Sequence, residues 1–225
     1  MKNVLLTALL ALATAAAALA QVRPIPAFHA IKVGSGIALD LTAGPTQRVA
    51  VEVSPAEYTD DLKTTVADGV LTLRFEHPNG NVRVQRLHVA ITADQLTALT
   101  AGGGAAVTAQ GAFAAPEFQL ELTGGAAVRA DMATTNLVVD QSGGSTLSLN
   151  GQATKLTLDV SGGAVFNGAQ LQATTCQAQA SGGSIVRLSA KDQLTASASG
   201  GSSIKYHGAP QVTKSASNSA TIKAF

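Results

Sequence analysis

A recurring Gly-Gly pair narrows the possible folds of this chain more than any other feature. The first glycines of successive pairs are Gly103, Gly124, Gly143, Gly162, Gly182 and Gly200, at steps of 21, 19, 19, 20 and 18 residues. A further step of 18 reaches Asn218, and asparagine is the residue next most tolerant of left-handed backbone. A unit of about 20 residues cannot bury its own apolar face, whereas stacked copies can, each sealing the next through parallel ladders.

Alignment on the marker glycine shows what each unit contains. Six positions before it stand Phe118, Leu137, Leu156, Cys176, Leu194 and Val212; four before stand Leu120, Val139, Leu158, Ala178, Ala196 and, as an exception, Lys214. Four positions after it stand Val107, Val128, Leu147, Phe166, Val186, Ile204 and Ile222. The odd positions are polar, with Thr123, Ser142, Ser161, Ser181, Ser199 and Ser217 just before the marker. A period of two marks strands with one buried face. Each unit therefore reads as a strand, a tight corner and a second short strand. Turns are expected at Asn150-Gly151, Asn167-Gly168 and His207-Gly208. The fold class that follows is all-β, a right-handed parallel β-helix-like stack of about 20-residue coils. The corners are Gly124, Gly125, Gly143, Gly144, Gly162, Gly163, Gly182, Gly183, Gly200 and Gly201, where a missing Cβ permits positive φ and close stacking.

Residues 21–100 alternate less regularly and read as an N-terminal β cap with the first irregular coils; residues 101–225 are the regular array, and 21–225 one continuous domain. Asp68-Gly69 and Asn79-Gly80 are two-residue hairpin signals. Gly34-Ser35-Gly36 has the form of an early, degenerate corner. Residues 1–20, with Lys2, an apolar run and Ala18-Leu19-Ala20, have the pattern of a cleaved signal peptide. An exported protein, periplasmic or at the cell surface, is expected, with no transmembrane segment after cleavage. Charged residues make up only 13% of the chain and the formal net charge is +1, which leaves no basic face for nucleic acid.

These residues make the chain resemble the head GIN domain family of autotransporter-type adhesins. The resemblance covers nearly all of residues 21–225. It rests on "FHAIKVGSGIALDLTAG", "DGVLTLRF", "VAITADQLTALTAGGGAAV" and the recurring "SGGS". It implies an exported bacterial protein with parallel β-helical stacking. The family has no catalytic motif to carry over, so it implies no catalytic residue.

The residues themselves point the same way. "SGGS" is not the Gly-x-Ser-x-Gly of a nucleophile elbow, and no helix follows it; its serines are expected to hydrogen-bond to their copies on adjacent coils. Glu121, Asp140 and Asp159 share one outward column and form a carboxylate ladder with about 4.8 Å between rungs. Such a row repels itself, and Ca²⁺ could relieve it with oxygens from Ser142 and Ser161; a solvated acidic face is the plainer reading. No metal or cofactor is otherwise expected. His29, His77, His88 and His207 have no metal-ligand spacing, and Cys176 sits in a core column. Arg74, Arg83, Arg86 and His88 make the cap locally basic. The expected function is a non-catalytic binding or adhesion module for a surface glycan or envelope protein. The alternatives are a self-associating, homo-oligomeric envelope protein and a carbohydrate-active β-helix enzyme.

Overall fold

The computed structural model describes residues 20–80, 82–217 and 219–225. Residues 1–19 of the expected signal peptide, and the corner position Asn218, lie outside these. The described chain is a β-solenoid of about seven turns of about 19 residues each.

Sixteen strands are present among the described residues. The N-terminal part contributes β1 (Gln21–Arg23), β2 (Ala30–Val33), β3 (Ala38–Ala43), β4 (Arg48–Ser54), β5 (Leu62–Ala67), β6 (Val70–Phe75), β7 (Arg86–Ala93) and β8 (Ala98–Ala101). The array proper comprises β9 (Ala106–Leu122), β10 (Ala127–Gln141), β11 (Thr146–Val160), β12 (Val165–Ala180), β13 (Ile185–Ala198), β14 (Ser203–His207), β15 (Gln211–Ala216) and β16 (Thr221–Ala224). Each coil leaves its Gly-Gly corner along one stretch of a continuous 16-stranded sheet, bends, and comes back along a second stretch, with the core between them. We call these the outgoing and the returning sheet.

The parallel register stacks like on like. In the outgoing sheet Val128, Leu147, Phe166, Val186, Ile204 and Ile222 lie in one column. In the returning sheet Leu137 pairs with Leu156, Leu156 with Cys176, Cys176 with Leu194 and Leu194 with Val212. These side chains meet between the sheets in one continuous apolar core. Burial of each Leu, Val or Phe in it contributes about 1.5–3 kcal/mol. Lys214, the exception in its column, pairs with Ala196 on the outermost returning strand and stays exposed.

The bend opposite the corners differs from the expected turns. Asn150-Gly151 lies inside β11 and Asn167-Gly168 inside β12, so the strands run on through the bend. Gly151 nevertheless has a positive φ, 102°, so the Asn-Gly signal does mark a change of direction on its coil, and register shifts fall between Ser148 and Asn150 and between Gly168 and Gln172. Only at His207-Gly208 does a strand end at the turn: His207 is the last residue of β14, and Gly208, with φ 105°, follows it.

At the N-terminal end the order of stacking departs from the order of the chain. β2 lies between β6 and β8, and β3 between β7 and β9, all in parallel pairs. Residues 70–93 thus supply a rung on the far side of residues 30–43. Further out, β4 adds antiparallel to β7 and β1 adds antiparallel to β4, while β5 adds antiparallel to β6. β5 and β6 form a hairpin whose central Asp68 and Gly69 both have positive φ, at 50° and 73°, the backbone that a two-residue primed turn requires. Asn79-Gly80 makes a local turn, with the Gly80 N–H donating to the His77 carbonyl. It joins no hairpin, because β6 pairs with β2 and β5 while β7 pairs with β3 and β4.

Candidate functional site

The repeating coil presents four surfaces: the corner edge, the outer faces of the two sheets, and the bend edge. At the corner edge Gly124, Gly143, Gly162, Gly182 and Gly200 all have positive φ, between 62° and 71°. Their followers Gly144, Gly163 and Gly183 donate N–H bonds of 2.7–2.9 Å to the first glycine of the preceding corner. Gly125 opens β10's coil in the same position, and Gly201 departs from the pattern with a positive φ of its own, 82°. At Gly182 a Cβ would lie 2.9 Å from both the nitrogen and the carbonyl oxygen of Gly162, closer than a carbon can approach without displacing the coil beneath. Gly34-Ser35-Gly36 stacks on the same edge, and the Gly36 N–H reaches the Gly103 carbonyl at 3.0 Å. The corners are structural pivots with their backbone groups spent on one another.

The serines behave differently from the expected ladder of hydroxyls. Those before the glycines point outward. Those after them, Ser145, Ser184 and Ser202, are buried inside the corner. Their hydroxyls donate to main-chain carbonyls, Ser145 to Ser142 at 2.8 Å, Ser184 to Val160 at 3.2 Å and Ser202 to Ala180 at 3.0 Å. The Val160 and Ala180 carbonyls already accept the N–H groups of Ser181 and Ser199, so these hydroxyls take a second lone pair of a main-chain acceptor within reach of the corner. The alternation of these serines with Ala126 and Ala164 at the same position was the legible sign of a small, inward-facing site.

One core column carries a second polar group. Gln141 is 3% exposed, and its Nε2 donates to the carbonyls of Ser145 and Val165, each at 3.0 Å. Its Oε1 has no protein partner.

On the outer face of the returning sheet the register does bring Glu121, Asp140 and Asp159 side by side. With Thr123, Ser142 and Ser161 they line a shallow hollow of about 220 Å³. Partial burial, then the charges of Asp159 and Glu121, raise the Asp140 carboxyl above the ordinary carboxylate range. The row runs one carboxylate per rung and does not converge. Among the described residues no group of three or more His, Cys, Asp or Glu side chains is arranged to hold a metal ion.

The remaining polar candidates are dispersed. Arg74 pairs with Glu76, Arg86 with Glu52, and His88 with Asp40, all at 2.7–2.9 Å, so the cap is not a concentrated basic face. His77 contacts Asp61 at 2.6 Å, and His207 packs beside Phe225. Cys176 is buried, and burial pushes its thiol up to about 12, which leaves no thiolate for chemistry.

The bend edge holds what the sequence reading missed. A trough of about 610 Å³ runs along it from the β9 coil to the β13 coil. Ala133, Gln152 and Gln172 form one column of its lining. Thr135, Thr154 and Thr174 line it as well, and Lys191 closes one end. Around Pro116 and Thr135 it opens into a second hollow of about 870 Å³ on the returning sheet, with Glu117, Asn136, Val138 and Lys155. The recurrence of "QAT" at Gln152–Thr154 and Gln172–Thr174 was the available signal. Small side chains leave depth at the bend, while amides and hydroxyls recur there at the spacing of the coils.

Comparison with known proteins adds the following. A family profile described as "Putative auto-transporter adhesin, head GIN domain" matches residues 27–210. No curated protein matches the chain. Among solved structures, a "putative adhesin" from Bacteroides fragilis is similar with a TM-score of 0.85 at 20% identity, covering 92% of this chain and 96% of that one. A "putative adhesin" from Parabacteroides merdae gives 0.71 at 18% identity, covering 92% and 95%. A "putative lipid binding protein" from Parabacteroides distasonis gives 0.68 at 18% identity, covering 92% and 96%. At these identities the likeness is one of fold.

Proposed function

Since the chain belongs to the head GIN domain family, we propose that it is an exported, non-catalytic binding module that holds an extended neutral polymer, such as a surface glycan, along its bend edge. The observation that carries this reading is the trough itself. Five coils, β9 to β13, contribute to it, so it extends over about 19 Å at about 4.8 Å per rung. A groove whose lining repeats at a fixed interval suits a ligand that repeats too. Gln152 and Gln172 each offer a donor pair and an acceptor, and the threonine hydroxyls do both, which is the chemistry that hydroxyl-rich ligands need. The trough at the bend is lined by Ala, Pro, Thr, Gln and one Lys, with no pair of carboxylates of the kind that glycoside hydrolysis uses. Export is supported by the signal-like first 20 residues. No helix among the described residues is long and apolar enough to cross a membrane.

Purified protein on a glycan microarray tests this directly. Binding to one or more neutral glycans is expected, weakened at least tenfold by Gln152→Ala with Gln172→Ala and abolished by Thr154→Arg, which fills the trough. Binding that survives Thr154→Arg, or an array with no bound glycan, would overturn the assignment. Turnover of a polysaccharide lost on Asp140→Ala or Asp159→Ala would replace it with the enzyme reading.

A further inference from the structure

The outer faces of the two sheets carry opposite charge at matching intervals. On the outgoing sheet Arg187 pairs in register with Lys205, and Lys205 with Lys223. These three cations follow one another on successive coils, and none of them makes an ion pair among the described residues. On the returning sheet Glu121, Asp140 and Asp159 do the same with negative charge, again without an ion pair. Both rows take their spacing from the same backbone ladder, so their intervals agree by construction, at about 4.8 Å. Beside each row stands an exposed aliphatic side chain, Ile185 two residues before Arg187 and Val138 two residues before Asp140, each 39% exposed. The His207 and Phe225 rings, 6.0 Å apart, flank the basic row on its other side.

We propose that these faces dock on one another between copies: the acidic ladder of one molecule lies on the basic ladder of the next. The partner is a second copy of this chain because its own returning sheet supplies three opposite charges at the required interval next to an apolar spot. The two rows lie on different stretches of the coil, so a contact leaves one of each kind free on every pair. Such heterologous contacts propagate into open chains instead of closing as a two-fold dimer. A sheet face of about five rungs by six residues offers roughly 24 Å by 20 Å. That is about 480 Å², short of the roughly 800 Å² per partner of a stable complex. The association is therefore weak and depends on salt. It uses the sheet faces, not the trough, and does not rest on the glycan reading.

Sedimentation velocity on the purified protein tests it. Concentration-dependent growth of the sedimentation coefficient is expected at low salt, and loss of that growth at about 1 M salt, where charges are screened beyond about 3 Å. The decisive measurement uses two charge-reversed chains. One carries Arg187→Glu, Lys205→Glu and Lys223→Glu; the other carries Glu121→Lys, Asp140→Lys and Asp159→Lys. Each alone should stay monomeric, and a 1:1 mixture should associate. All six side chains point outward, and circular dichroism checks that both chains fold. A neutral variant, with Gln at 187, 205 and 223, should also lose association without added repulsion. A wild-type protein monomeric at low salt, or a mixture as inert as its components, overturns the proposal. So does polyphosphate binding to the basic row with no self-association, which would give that row to an anionic polymer.

Discussion

Neighbouring glycines of one corner should respond oppositely to the same substitution. Gly162 has φ +71°, and a Cβ there would stand 3.1 Å from both the nitrogen and the carbonyl oxygen of Gly143. The left-handed backbone alone costs alanine about 1–2 kcal/mol. Crowding against main-chain atoms, which cannot rotate aside, adds about 1–3 kcal/mol on the scale of overpacked cores. Restriction of the unfolded chain returns about 0.4–1 kcal/mol. Gly162→Ala should therefore destabilise by about 3 kcal/mol, near the middle of the range these contributions span. Gly163 lies outside the left-handed region, and its Cβ would meet only the Gly143 oxygen at 3.7 Å, an ordinary contact. Gly163→Ala should stabilise by about 0.5 kcal/mol. Urea denaturation followed by far-ultraviolet circular dichroism measures both. With a slope of about 2 kcal/mol/M the two midpoints should differ by more than about 1 M. Because a solenoid can open coil by coil, exchange of the Gly163 amide, bonded to the Gly143 carbonyl at 2.9 Å, reports the same corner locally. Equal losses at the two positions would refute the claim that positive φ and coil contact, rather than flexibility, select the first glycine.

Other consequences can be checked with single measurements. The Asp140 carboxyl is raised above its ordinary range by partial burial and by Asp159 and Glu121. Its ionisation therefore weakens the fold: the associated stability is full below the unfolded pKa and is lost as pH rises through the folded one. Asp140→Asn should stabilise by about 0.5 kcal/mol at neutral pH and by nothing under acid conditions, read from melting temperatures across pH. Cys176, with its thiol pushed up to about 12, should resist a thiol-labelling reagent at pH 8 in the native protein and react at once in denaturant. Millimolar Ca²⁺ should shift the melting temperature no more than salt of equal ionic strength, because the carboxylates stand in a row instead of around a point; a saturable shift lost on Asp140→Asn would contradict this.

Much of the fold could be read from spacing. Leu156, Cys176 and Leu194 were assignable to one core column because a strand's two faces alternate and the glycine marker sets the phase. The same count placed Glu121, Asp140 and Asp159 in one row. It could equally have shown Arg187, Lys205 and Lys223, five positions after the marker, but only acidic columns suggested a chemistry. The trough was harder. Its depth at Ala133, Gln152 and Gln172 exists only once neighbouring coils stack these positions in one column, even though Gly151, with φ 102°, marks the bend locally. The hairpin expected at Asn79-Gly80 failed for a similar reason. A turn signal specifies that the chain reverses, not which strands its arms will find.

Local chemistry by itself determined the period, the buried face of the inner strands of the array and the position of the corners, since each depends only on side-chain alternation and on where backbone can turn without a Cβ; on the outermost β15 the same alternation leaves Lys214 and Ala216 exposed. Tertiary structure alone decided the order of stacking. Residues 70–93 lie on the outer side of residues 30–43, and β8 crosses back to β2's other edge. Ladder hydrogen bonds are nearly indifferent to which segment supplies them. The choice falls to the packing of side chains such as Leu39, Leu71 and Leu99, all buried in the shared core, which meet only once the coils have closed on one another.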